Sequence, residues 1–334
     1  MGYDLGSKDI LVTGGTGFIG SRVARALIQG GARVRVLARN PAKARDLEAA
    51  GAAVIAGEIT DPACLERAVR GTQAVIHFAG ATNEFKPRAY FERVNIDGTR
   101  LLAEAALEAG VERFVHVSTV WVYGLWAGPG TNEASPCAVS GQPYSDTKIG
   151  AEREIRRLAA EKGLPAVILQ PSEAYGPGDP HWTERPLALI KVGRMVLASG
   201  GKGVTQPIFI DDLVRGVLAA AAEGRAGETY ILCGPEVSTF REYFMSFARM
   251  LGKERLPSVP ARLALGAAAL AEGAARISGR PPVFTRQEIL ATTATATYDG
   301  GKAARELGFT AGIGLAEGMR RVETWLRSAP RPPA

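Results

Sequence analysis

Residues 8–20, KDILVTGGTGFIG, constrain this chain more than any other stretch. Ile10, Leu11 and Val12 form an apolar run of strand length. Gly14, Gly17 and Gly20 follow at three-residue intervals, and Phe18, Ile19, Val23, Ala26 and Leu27 then recur at helical spacing. The pattern predicts strand, glycine turn and helix. Each glycine answers a separate need. Gly14 allows the tight reversal, Gly17 lets backbone N–H groups approach a pyrophosphate, and Gly20 lets the helix pack close to the strand. The helix start, with unpaired N–H groups and partial positive charge, is where the phosphates belong. The same spacing also occurs in turns that bind nothing; here it stands between a strand and a helix, as a dinucleotide loop requires.

The pattern then repeats. Gly30 and Gly31 close the first helix, and residues 33–38, RVRVLA, alternate as a strand. Arg39 stands at the end of this second strand, with Lys43 in the turn beyond. An acid there would accept hydrogen bonds from the ribose diol of NAD, whereas a cation suits the 2′-phosphate of NADP. No Asp or Glu competes, so the position favours NADP; an Arg39 stacked on adenine would serve either cofactor. Residues 41–50 read as a helix and 52–56 as a strand, after which Glu58 is placed to meet the adenine. Asp61 and Pro62 read as N-cap and first helical residue. A fourth strand over 74–78 ends in Phe78-Ala79-Gly80-Ala81, small enough after Phe78 for a cofactor to cross. His77 lacks a partner at ligand spacing and reads as a buried structural histidine.

Residues 87–110 read as one long helix containing Asn95, and 111–117 as the fifth strand, ending in Ser118-Thr119. Residues 121–143, rich in Gly, Pro and Ser, read as a loop that closes over the site, with Trp121, Tyr123 and Trp126 as its apolar surface. Tyr144 and Lys148 lie four apart near the start of a helix running to about residue 162, and so share a face. Residues 164–169 are the sixth strand. Such alternation predicts an α/β fold: a Rossmann-type doubly wound parallel sheet with helices on both faces and its strand C-termini on one edge. We assign 1–170 to this dinucleotide-binding part, with contributions from 204–232, and 171–330 mainly to a smaller substrate-binding part. In the latter, a helix over 185–194, strands over 206–210 and 228–232 and a helix over 240–251 are expected.

Composition narrows the function. The 334 residues are 46% hydrophobic and 22% charged, as in a soluble globular protein with a large core. Three scattered cysteines, Cys64, Cys137 and Cys233, make neither a disulfide framework nor a metal site, and fit a reducing, cytoplasmic setting. The chain carries net charge +6 and a pI near 9.3, but its cations are interspersed with acids and no nucleic-acid-binding signature is present. Residues 263–271, LALGAAALA, are too short to span a bilayer. They read as an Ala-rich helix packed on the body, with weak membrane or apolar-ligand contact as the alternative.

Together, TGGTGFIG, Asn95, Ser118-Thr119, the Tyr-x-x-x-Lys of Tyr144 and Lys148, and AYGPGD at 174–179 resemble the extended short-chain dehydrogenase/reductase superfamily, the NAD(P)-dependent epimerase/dehydratase group. IFIDDL, GETYIL and KAARELGF resemble its C-terminal half. The resemblance implies an enzyme with Thr119, Tyr144 and Lys148 as the catalytic set, Ser118 being the rival of Thr119. The candidate cofactor contacts are Gly14, Thr16, Gly17, Phe18, Ile19, Arg39, Lys43, Glu58, Ile59, Phe78, Ala79, Gly80, Asn95, Val117, Tyr144, Lys148 and Pro171. On the substrate side stand Ala81, Thr82, Trp121, Tyr123 and Glu173.

The chemistry also stands on physical grounds. Hydride addition to a carbonyl leaves an alkoxide that needs a proton. A tyrosine titrates ordinarily near ~10, and the Lys148 ammonium is expected to lower that value. Sugar-nucleotide epimerases of the superfamily carry an Asn and an Arg for the diphosphate where this chain has Glu173 and Thr205, and Gln170 and Phe209 also depart from them. The closer resemblance is to the 3-beta-hydroxysteroid dehydrogenase and dihydroflavonol reductase branch, whose substrates are apolar ketones or alcohols. The reading is an NADP-dependent oxidoreductase acting on a small-molecule ketone or secondary alcohol, steroid- or flavonoid-like in character. The alternatives are a nucleotide-sugar epimerase or dehydratase with tightly bound NAD(P), and a non-catalytic dinucleotide-binding subunit, which would need no proton donor. The resemblance also implies a homodimer packed through the helices that hold Asn95 and Tyr144.

Overall fold

A computed structural model describes residues 3–82, 86–278, 282 and 284–328. Its centre is a seven-stranded, wholly parallel sheet. The strands are β1 (Asp9–Thr13), β2 (Arg33–Ala38), β3 (Ala53–Ala56), β4 (Ala74–His77), β5 (Arg113–Val117), β6 (Ala166–Pro171) and β7 (Thr229–Leu232), in the order β7-β6-β5-β4-β1-β2-β3. Ile10, Leu11 and Val12 are each fully buried, because helices cover both faces. Ile10 and Val12 join the core beneath α1 (Phe18–Gln29), while Leu11 joins the opposite core with Leu65, Leu102 and Ile155. A continuous apolar run is what a doubly covered strand needs. Strand order reverses between β1 and β4, which opens a crevice at the carboxyl ends of the strands.

The glycine turn shapes that crevice. Gly14 has φ of 68°, and a Cβ on it would come within 2.7 Å of the Ala79 backbone nitrogen. A Cβ on Gly20 would meet the Gly14 carbonyl oxygen at 2.4 Å. Bare backbone therefore packs on bare backbone where β1, β4 and α1 converge.

Three expectations about local structure change. The helix anticipated over 87–110 widens into a π-helical stretch, Glu92–Asp97, between Arg88–Phe91 and α2 (Gly98–Glu108). Within it Asn95, 1% exposed, clasps the Ala81 backbone: its Oδ1 accepts from the Ala81 N–H (2.6 Å) and its Nδ2 donates to the Ala81 carbonyl (3.2 Å). The segment 121–143 is a strap rather than a lid. The Thr131 N–H donates to the Thr297 carbonyl (2.8 Å), the Asp299 N–H to the Thr131 carbonyl (2.9 Å), and Glu133 accepts from the Ile231 N–H (2.8 Å), tying the loop to β7 and to 297–299. The strand expected at 206–210 shortens to Ile208–Phe209 and pairs with Ala174–Tyr175 outside the main sheet. Residues 228–232 do reach that sheet, as β7 beside β6.

Beyond β5, α3 (Pro143–Lys162) packs on α2, and α4 (Ile210–Glu223) covers the other face beside α1. A third core, built on Tyr175, Phe209, Tyr243, Phe247, Met319 and Val322, joins the C-terminal helices to the sheet edge. There Asp212, fully buried, holds the chain's last turn before Leu315–Ser328: one carboxylate oxygen accepts from the N–H groups of Gly312 (2.8 Å) and Ile313 (2.7 Å), and the other pairs with Arg215. The Pro-rich stretch after Ser328 lies outside the described residues. Asp212→Ala strands those two donors and is expected to cost about 2–3 kcal/mol. A fall in the urea midpoint measures it, and an unchanged midpoint would show that the carboxylate does not anchor this end.

Candidate active site

One cavity of about 1130 Å³ runs along the carboxyl edge of the sheet. It exceeds the roughly 300–1,000 Å³ of ordinary ligand pockets, which leaves room for a dinucleotide and a second molecule. Its wall is made by Gly14, Thr16, Gly17, Phe18, Ile19, Arg39, Glu58, Ile59, Phe78, Ala79, Gly80, Ala81, Thr82, Val117, Thr119, Trp121, Tyr144, Lys148, Pro171 and Glu173. Three expected residues lie elsewhere. Lys43 is exposed on the turn after Pro41, away from the wall. Asn95 sits behind the wall, holding Ala81 and donating to the Thr147 hydroxyl (3.0 Å). Tyr123 is 3% exposed, packs with Val120 and Ile149, and donates to Gln170 Oε1 (2.6 Å). For both, burial in a polar network replaces ligand contact.

The phosphate end fits a dinucleotide. No side chain caps the N-terminus of α1 at Gly17 and its first turn carries no acid, so nothing of the protein's own occupies those N–H groups. A Cβ at Gly14 would fill the gap to Ala79. Along the wall, Arg39 donates to the Tyr90 hydroxyl (3.4 Å), and the Lys86 Nζ and Arg93 guanidinium each lie 5.9 Å from the Tyr90 ring centre. Lys86 and Arg93 were not anticipated. Tyr90 and Arg93 lie three apart in the helical run that opens at Arg88, and Lys86 stands just before it. Lys86 and Arg93 both line the wall, where Lys43 does not.

At the catalytic end, β5 delivers Ser118 and Thr119 and the first turns of α3 deliver Tyr144 and Lys148. The Thr119 hydroxyl lowers the titration of the Tyr144 phenol and accepts from the Trp121 N–H (3.3 Å). Ser118 Oγ is buried on the same wall without a protein partner among the described residues. Lys148 Nζ donates to the Val117 carbonyl (2.8 Å) and to His116 Nε2 (3.3 Å). Burial drives both titrations away from charge: Tyr144 is pushed up to about 12, opposed by the Thr119 hydroxyl, and Lys148 down to about 8, opposed by Glu152. Burial therefore sets the direction for the phenol, and the opposing influence at this site comes from Thr119. His116 and His77 are held neutral by burial and the Lys148 charge. His77 lies between the Thr13 and Thr99 hydroxyls (2.7 and 2.9 Å), a structural role as expected.

Deeper in, Glu173 is 8% exposed and accepts from Trp121 Nε1 (3.1 Å) and the Thr205 hydroxyl (3.2 Å). Two of the four positions where this chain departs from the sugar-nucleotide pattern, Glu173 and Thr205, therefore meet in space, while Gln170 bonds Tyr123 and Glu152 and Phe209 packs on Tyr175. Trp182 and His181 complete the wall beside Trp121; neither drew notice in the sequence, since they sit in a loop without periodicity.

A doubly wound parallel sheet with an uncapped helix at its switch point, and a Thr–Tyr–Lys group across the crevice, defines a nicotinamide-dependent oxidoreductase of the extended short-chain dehydrogenase/reductase type. The chain belongs to the NAD-dependent epimerase/dehydratase family, whose model matches residues 10–233. It is 28% identical over 316 residues, 92% of this chain and 93% of the relative, to a 4-hydroxy-2-methyl-3-oxo-4-farnesyl-3,4-dihydroquinoline-1-oxide ketoreductase of Stigmatella aurantiaca. It is 30% identical to sterol demethylase protein B of Methylococcus capsulatus, with 89% of this chain and 92% of that one covered. Among solved structures, the dTDP-glucose 4,6-dehydratase DesIV of Streptomyces venezuelae, with NAD and TYD bound, superposes with a TM-score of 0.79 at 29% identity, over 96% of this chain and 97% of that chain.

The depressed Lys148 value has a stability consequence. Below about pH 8 the folded protein holds a buried ammonium that the unfolded chain would solvate, so the group opposes folding. Between pH 8 and 10 the folded state has released this proton while the unfolded state keeps it, and the group's contribution recovers. Relative to Lys148→Met, the parent protein should therefore gain about 2–3 kcal/mol from pH 7 to pH 10. Urea unfolding of both proteins across that range measures it, and a pH-independent difference would mean that the lysine titrates as it does in water.

Proposed function

We propose that this enzyme transfers hydride between NADP(H) and the carbonyl carbon of an apolar ketone or its secondary alcohol. The observation that carries the reading is the shape and lining of the cavity. From Thr119, Tyr144 and Lys148 it continues past Trp182 into a section walled mainly by Met195, Phe244, Val259, Leu263, Ala264 and Ile289, with Arg185, paired to Glu288, and Arg194 as its charged groups. Glu173 at its floor sets a carboxylate where a nucleoside diphosphate would need donors or cations. The farnesyl-bearing substrate in the Stigmatella relative's name points the same way.

A bound nicotinamide supplies hydride for reduction and takes it for oxidation. The chain's residues manage the proton. Tyr144, with its value near 12, is fully protonated at neutral pH and gives its proton to the oxygen that becomes alkoxide as the C=O electron pair shifts onto it. Thr119, on the same wall as the phenol, orients that oxygen. Lys148, fixed by the Val117 carbonyl, stabilises the phenolate left behind and holds the nicotinamide ribose. Arg39, Lys86 and Arg93 around Tyr90 favour a 2′-phosphate over a bare diol. In this reading the enzyme works in the cytoplasm as a homodimer packed through α2 and α3.

Purified protein should carry little cofactor and oxidise added NADPH when given a hydrophobic ketone. Stoichiometric retained NAD(P) with turnover of a nucleotide sugar would replace this reading by the epimerase/dehydratase one. Tyr144→Phe should lower turnover about 10²–10⁴-fold and leave NADPH binding close to the parent's. Arg39→Ala should weaken NADPH about 10–100-fold with NADH affinity unchanged; equal loss for both would return Arg39 to an adenine-stacking role.

A further inference from the structure

The helix read from sequence as packed on the body, α5 (Ala261–Ser278), is turned the wrong way round for packing alone. It buries Ala264, Ala268 and Ala275 and faces three of its four large aliphatic side chains outward: Leu263 is 67%, Leu270 78% and Ile277 92% exposed, and Leu265 is half-buried. A helix that had only to pack would bury its leucines and leave its alanines outside. The three recur every seven residues and fall in one line, with Gly266, Ala267, Gly273 and Ala274 as the other exposed apolar positions along it.

This strip runs into the mouth of the cavity. Leu263 and Ala267 are exposed on the helix and also line the cavity, as does exposed Val196. Ser258–Val259 pairs with Leu197–Ala198, which brings the segments on either side of the mouth together. Lys191, Arg194, Arg255 and Arg262 are exposed on those segments. Of the acids around the mouth, Glu254 is exposed, Glu272 on α5 is engaged by Arg286 at 2.9 Å, and Glu288, which lines the cavity, pairs with Arg185.

We propose that α5 and the cavity mouth dock on the surface of an anionic lipid bilayer. Leu263, Leu270 and Ile277 enter the boundary between headgroups and acyl chains, and the four cations meet lipid phosphates. Contact is peripheral, since no helix among the described residues is long and apolar enough to cross a membrane. A second copy fits this face less well, because a self-complementary contact would set the same cations against one another. The docking stands on the surface alone. The passage of an apolar substrate from the bilayer into the cavity rests in addition on the ketone-reductase reading.

Sedimentation of the whole chain with phosphatidylcholine vesicles and with phosphatidylcholine–phosphatidylglycerol vesicles tests it. The protein should pellet with the anionic vesicles, less with the neutral ones. Leu270→Asp combined with Ile277→Asp, neither of which lines the cavity, should reduce binding about tenfold or more. Thermal stability and NADPH affinity serve as the fold control and should be unchanged. Absent binding to the anionic vesicles overturns the proposal, as does equal binding by the variant. It also fails if the variant converts a dimer to a monomer while the parent ignores vesicles, which makes the strip a copy-to-copy contact. Vesicle binding without any ketone turnover keeps the docking and removes only the substrate passage.

Discussion

Everything in this molecule depends on how closely β1 and α1 approach the end of β4. Gly14 lies against the Phe78–Ala79 backbone with no space for a Cβ, and Gly20 lies against Gly14 in the same way. Contact without side chains is what lets strand order reverse there and still leave an open crevice lined by backbone N–H groups. Asn95 secures the other side of that crevice by holding Ala81 through both of its backbone groups. A residue that reads as a ligand contact is therefore better described as a strut: it fixes the wall against which a ligand would lie.

The same burial that forms the crevice sets its acid–base chemistry. Desolvation raises the Tyr144 phenol against the influence of Thr119 and lowers the Lys148 ammonium against that of Glu152. The lysine is held by hydrogen bonds on a strand carbonyl and a neutral histidine rather than by a carboxylate.

Behind the cavity wall lies a second layer of buried polar contacts. Glu173 and Thr205 are 32 residues apart, yet they share a hydrogen bond under Trp121. Gln170 joins Tyr123 and Glu152 in a neighbouring buried network. Within these two networks the carboxylate of Glu173 is met by the Trp121 indole and the Thr205 hydroxyl, not by a cation. The apolar section beyond them opens beside α5, whose outward leucines continue the same surface to the exterior.

Sequence alone determined the sheet, its glycine turn and the Thr119–Tyr144–Lys148 group, because strand and helix periodicities and an i, i+4 spacing are local properties that need no knowledge of distant neighbours. It also marked Glu173 and Thr205 as departures. Tertiary structure decided which residues reach the cavity. Lys43 and Lys86 are equally plausible cations in the sequence, but only Lys86 lies on the wall, and Tyr123 turned out to face the core. It also decided the sign of the titrations, since desolvation depends on everything packed around a group. The inverted packing of α5 was likewise invisible beforehand, for an Ala- and Leu-rich helix has no unambiguous inner face until a neighbour is close enough to admit alanine and exclude leucine.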